Sequence, residues 1–113
     1  MITLISTQKK RLQDSTSGTG LNNGQFFSVS GLATASFTIT GTFVGTVTFE
    51  ISNDAGLNWF SINVMAINST TPSTTSTAPG IYVATVKCLD LVRARISAYT
   101  SGTVIVDLRA SQI

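Results

Sequence analysis

The sequence predicts an all-β protein: an antiparallel β-sandwich, jelly-roll-like or immunoglobulin-like, of about seven or eight strands with an extended N-terminal arm. Three observations predict it. Apolar and polar residues alternate with a period of two over most of residues 25–113. No stretch of useful length carries a helical period. Turn residues recur at short intervals between the alternating segments.

The elements follow in order. Residues 1–24 show no clean period, and DSTSGTGLNNG (14–24) has the composition of a linker. This first part is expected to be an arm, with a short strand at 2–6, pairing with the domain's own sheet or with a neighbour. The single sandwich domain is expected over 25–113. In SFTITGTFVGTVTFEIS (36–52), Phe37, Ile39, Phe43, Val47, Phe49 and Ile51 occupy one face, and Thr38, Thr40, Thr46, Thr48 and Glu50 the other. Phe60, Ile62, Val64 and Ala66 alternate in the next segment, then Tyr82, Ala84 and Val86. Val92, Ala94, Ile96 and Ala98 share a face, with Arg93 and Arg95 opposite; Val104, Val106, Leu108 and Ala110 complete the pattern. NSTTPSTTSTAPG (68–80) reads as a long exposed loop, because its prolines exclude a central strand. An ungapped echo links ITGTFVGTVTFEIS (39–52) to ISAYTSGTVIVDLR (96–109), suggesting two similar hairpins in equivalent places of the two sheets.

Composition narrows the function. Only 11% of the 113 residues are charged, against roughly 25% in an average domain. The remaining polarity is mostly Ser and Thr, a surface suited to being covered by partners. The net charge of +2 is too small to argue for nucleic acid, and no apolar run is long enough for a membrane helix. Lys9, Lys10 and Arg11 form a basic cluster in the arm, a candidate docking point for an acidic neighbour. Arg93, Arg95 and Arg109 form a candidate basic surface patch if their strands are neighbours, with ion pairs to Glu50, Asp90 or Asp107 as their exposed role. Cys88, the lone cysteine, reads as a small buried hydrophobe.

Chemistry is sparse. With no histidine and one cysteine there is neither a zinc site of ordinary spacing nor a Ser-His-Asp or Cys-His arrangement. No P-loop or EF-hand spacing occurs. Catalytic, metal and cofactor-binding residues are therefore assigned to none. SNDAGLNW (52–59) is similar to the Asp-box, the hairpin-tip motif repeated in sialidases and other propellers. Its expected role is structural. Asp54 accepts hydrogen bonds from its own turn, Gly56 supplies positive φ, and Ser52 and Trp59 complete and cover the turn. A glycosidase needs two carboxylates placed across a bond. Asp14, Glu50, Asp54, Asp90 and Asp107 form no such pair by spacing, and read as solvated charges.

Two blocks carry a wider resemblance: GTFVGTVTFEISNDAGLNW, and GIYVATVKCLDLVRARISAYTSGTVIVDLRAS after the Ser/Thr loop. Together, over about residues 37–111, they resemble small β-sandwich virion proteins of tailed bacteriophages. Those carry G-T-F-x-G-T-V-x-F-E-x-S-x-D-G-G-x-x-W, then G-x-Y-x-x-x-V-x-G-L-x-x-V-R-x-R-x-S-A-Y-T-S-G-x-V-x-V-x-L-R-A. Ala55 replaces the first Gly of the turn, and Cys88 replaces the Gly before Leu89. The resemblance implies a virion structural protein, not an enzyme, made in the host cytoplasm. The favoured role is capsid decoration on the outer shell, as a homo-oligomer, trimer favoured, contacting the major capsid protein. The alternative is a tail, baseplate or fibre module binding host glycans, with Trp59, Tyr82 and Tyr99 as stacking candidates.

Overall fold

The computed structural model describes residues 7–15 and 22–113. Ten strands form two five-stranded antiparallel sheets: β1 (Thr7–Ser15), β2 (Phe26–Ser28), β3 (Thr34–Thr40), β4 (Phe43–Ser52), β5 (Phe60–Ser61), β6 (Met65–Ala66), β7 (Thr75–Ser76), β8 (Gly80–Thr85), β9 (Leu91–Gly102) and β10 (Val104–Ser111). One sheet has the order β1-β10-β3-β8-β6. The other runs β2-β9-β4-β5, with β7 also paired to β4. The expected β-sandwich is the fold. Seven strands have three or more residues, and the remaining three are two-residue pieces.

The period-two pattern places the core. Phe37 and Ile39 of β3, Val47 and Phe49 of β4, Val92, Ala94 and Ile96 of β9, and Val104, Val106, Leu108 and Ala110 of β10 are buried between the sheets. Phe37 and Phe49 meet across the sheet gap with ring centroids 4.9 Å apart, and Phe49 also packs on Tyr82 at 5.6 Å. Removing either phenylalanine would open a cavity in the middle of the core, costing about 3–5 kcal/mol.

The alternation fails where β4 and β9 pair. Their register shifts twice, between Val44 and Gly45 and between Thr46 and Val47. Each shift adds a residue to β9, so the side chains change face. Ala98, expected inside, is exposed, and Tyr99 packs against the core instead. The segment 60–67 is not one strand either. β5 joins one sheet and β6 the other, so the chain crosses between sheets and leaves Phe60 exposed. The Ser/Thr segment 68–80 contributes more than a loop: β7 lies between its two prolines and pairs with β4, and Ser73 bridges to Val64.

The echo 39–52 and 96–109 does not form two hairpins. β3 and β4 lie in different sheets, and so do β9 and β10. β3 pairs with β10 and β4 with β9, so the two crossings lie side by side. Thr103 N–H donates to Thr42 C=O at 2.9 Å. A Cβ on Gly41 would collide with the Thr103 carbonyl, and one on Gly102 with the Thr42 carbonyl; both glycines have positive φ. The reciprocal pair is thus Gly41 with Gly102, whereas the ungapped echo matches Gly45 to Gly102.

Within the span expected to be an arm, the described residues pair with the domain's own sheet, one of the two pairings expected. β1 pairs with β10 along its length, with a bulge at Leu12 that turns both Leu12 and Gln13 inward. Leu12 joins the core. Gln13, buried, donates to Ala94 C=O of the opposite sheet at 2.9 Å and to Asn22 C=O at 3.1 Å. The short strand expected at 2–6 lies outside the described residues. Cys88 also departs from expectation. It is exposed in a turn, with φ +63°, because Leu89 rather than Cys88 turns back to the core.

Candidate functional site

The 52–59 turn brings Ser52, Asp54, Gly56 and Trp59 together. Ser52 O–H donates to Asp54 Oδ1 at 2.8 Å, and Gly56 N–H donates to Ser52 Oγ at 2.9 Å. Asn58 donates its backbone N–H to Asp54 Oδ1 (2.9 Å) and its side-chain amide to Oδ2 (2.6 Å). These donors hold the Asp54 carboxyl below the usual aspartate range, the Asn58 backbone bond contributing most. Trp59 Nε1–H donates to Gly56 C=O at 3.0 Å, folding the indole over the turn. Ala55 and Gly56 both have positive φ. Asn53 clamps the neighbouring turn, donating to Cys88 C=O at 3.3 Å and accepting from Asp90 N–H at 2.8 Å.

Beside this turn, the outer face of the second sheet holds an ionic cluster. Arg93 Nε–H donates to Glu50 Oε1 at 2.8 Å, and Arg95 Nε–H reaches both Glu50 oxygens at 3.2 and 3.3 Å. The Arg93 guanidinium lies 4.1 Å from the centroid of the Trp59 ring. Phe26 packs against Trp59, with ring centroids 6.3 Å apart. Glu50 is only 6% exposed. The expectation of a solvated charge is therefore corrected: β4 faces it outward, but two arginines close over it, one of them stacked on the Trp59 indole. A buried carboxylate is tolerated when charge-assisted hydrogen bonds satisfy it, as two guanidiniums do here. The usable sequence signal was parity, since Glu50, Arg93 and Arg95 all fall on outward positions of what became paired strands.

The expected patch of Arg93, Arg95 and Arg109 does not form. Arg93 and Arg95 lie on β9 and Arg109 on β10, and these consecutive strands belong to opposite sheets. Arg109 instead faces Lys9 directly across the β1–β10 ladder. Lys9, Lys10, Arg11 and Arg109, with Asp107, Thr38 and Leu108, line an open depression of about 420 Å³. Arg11 is engaged there. Its Nε–H donates to Asp107 Oδ1 at 2.7 Å and its Nη2–H to Oδ2 at 3.1 Å, and Asp14 lies 3.9 Å away. The hydrogen bond to Asp107 pushes the Arg11 pKa further up. Among the described residues, no carboxylate lies within ion-pair distance of Lys9, Lys10 or Arg109.

The three aromatic candidates do not share a surface. Tyr82 packs on Phe49 and donates its O–H to Ala78 C=O at 2.8 Å; Tyr99 donates to Gly102 C=O at 2.8 Å; Trp59 covers its own turn. Among the described residues, no three metal-ligating side chains gather.

Comparison with known proteins places this architecture. The fold matches that of the SPBc2 prophage-derived protein YomS, with a TM-score of 0.84 and 13% identity over 98% of this chain and 97% of that one. It also matches the PBSX exported protein XepA, with a TM-score of 0.88 and 17% identity over 98% of this chain. The chain spans 39% of XepA's length. No protein-family model and no curated protein sequence matches. The chain thus shares its fold with a prophage-derived protein and with an exported one.

Proposed function

We propose that this chain is a structural protein of a phage virion, and that it decorates the outer capsid shell. The observation that carries the reading is the fold likeness over 98% of the chain to YomS, a prophage-derived protein, and to the PBSX protein XepA. The two sequence blocks that resemble phage virion sandwiches, residues 37–111, point the same way. The favoured partner is the major capsid protein, with the chain acting as a homo-oligomer, a trimer by preference. No catalysis is assigned. Glu50 and Asp107 are held by arginines, Asp14 lies 3.9 Å from Arg11, and Asp54 is committed to its turn.

The mechanism is mechanical. Packaged DNA pushes shell subunits apart, and a sandwich bound across their joints resists through many weak contacts acting together. The protein's part is to be rigid: two sheets locked by the Phe37–Phe49 contact, two reciprocal crossings at Gly41 and Gly102, and Gln13 tying β1 to the opposite sheet.

The test is a phage lacking this gene. Its particles are expected to release DNA at a lower temperature than wild type, and added purified protein should restore the difference. Particles of unchanged heat stability would remove the decoration role. The second reading, a tail, baseplate or fibre module binding host glycans, takes its support from Phe26, Leu57 and Phe60, all more than half exposed around the Trp59 turn. Glycan binding that is lost in Phe26→Ser and Phe60→Ser variants would favour it.

A further inference from the structure

We propose that the outer edge of β1 is a docking site for an acidic, extended protein segment, which adds there as a further strand. The inference deepens the virion reading by naming the chemistry of a partner, and it stands on the geometry of β1 whatever particle the chain belongs to.

β1 is the outermost strand of its sheet and the longest edge in the described fold; the other edges are strands of two or three residues. Beyond the basic stretch, Gln25 N–H donates to Leu12 C=O. A long edge strand offers a template for strand addition. The side chains select what is added. Lys9 stands directly opposite Arg109 on the outer face. Like charges so placed destabilise a ladder, and the nearest carboxylate, Asp107, is already taken by Arg11. Carboxylates on an added strand would relieve that repulsion, those at alternate positions lying beside Lys9 and Arg11, with Lys10 directed the other way.

The same charges exclude a second copy, since pairing one β1 with another would set basic residues against each other. Nucleic acid and anionic lipid are weaker fits. No aromatic side chain lines the depression for base stacking, and no exposed large apolar residue stands there for membrane insertion.

The test uses the full chain and two labelled peptides of equal composition: one alternating Glu and Thr over eleven residues, the other with Glu and Thr in separate blocks. The alternating peptide is expected to bind at least about tenfold more tightly at low salt. It should slow amide exchange in residues 7–11. A Lys9→Gln/Arg109→Gln variant, both exposed positions, should lose the binding with an unchanged melting temperature. Equal binding of both peptides would reduce the site to bulk electrostatics and overturn strand addition. Binding of duplex DNA or phosphatidylglycerol vesicles without binding of either peptide would overturn the partner class. Loss of particle binding with peptide binding intact would fault the virion reading alone.

Discussion

Replacing Cys88 by glycine should make this protein more stable, and so should replacing Ala55. Both residues have left-handed backbone, φ +63° and +62°, where a Cβ crowds the following carbonyl. That conformation costs an L-residue roughly 1–2 kcal/mol. Glycine removes the penalty but gives the unfolded chain more freedom, which takes back about 0.4–1 kcal/mol. Both side chains are exposed, so no buried surface is lost. The net expectation is about 0.5–1 kcal/mol of stabilisation at each site, a rise in melting temperature of roughly 2–6 °C. The gains need not add, because Asn53 ties the two turns together through the Cys88 carbonyl. Cys88→Ala keeps the Cβ and should change stability by less than about 0.5 kcal/mol. The assay is thermal and urea unfolding of wild type, Cys88→Gly, Ala55→Gly and Cys88→Ala. If both glycine variants melt at or below wild type, the strain argument is wrong.

Further outcomes follow from the same geometry. Gly102→Ala drives a Cβ into the Thr42 carbonyl at positive φ, and should destabilise by at least about 2–3 kcal/mol by urea unfolding. Glu50→Gln leaves two guanidiniums without their carboxylate; with Arg95 one-third exposed, the expected loss is about 2–4 kcal/mol, and adding Arg95→Gln should recover part of it. Asp54 has a folded pKa below its unfolded value of about 3.9, so its contribution is full above that value and is lost as pH falls through the lower folded one. A carboxyl titration by NMR should place it below 3.9, and Asp54→Asn should flatten the acid limb of stability; a midpoint at or above 3.9 would contradict the hydrogen-bond geometry.

The alternating pattern made the sandwich legible because one face of each long strand is buried, as in β10, where all four expected apolar residues are inside. It misplaced Ala98 because a bulge adds a residue that composition does not announce. It gave β1 no period because Lys9, Lys10 and Arg11 precede a single inward apolar residue, Leu12. The Ser52–Trp59 turn was legible because its chemistry is local. The grouping of arginines was not, because sheet membership of consecutive strands depends on the crossings at Gly41 and Gly102 rather than on spacing. The departures at Ala55 and Cys88 were visible as unusual residues, but only the backbone explains why glycine belongs there.

A capsid decoration protein is a virion component present in shell numbers. Quantitative mass spectrometry of purified particles of the source phage tests it most directly. The expected copy number is comparable with that of the major capsid protein. A chain absent from purified particles, or present in only a few copies, would contradict capsid decoration, and absence would contradict the virion assignment as a whole.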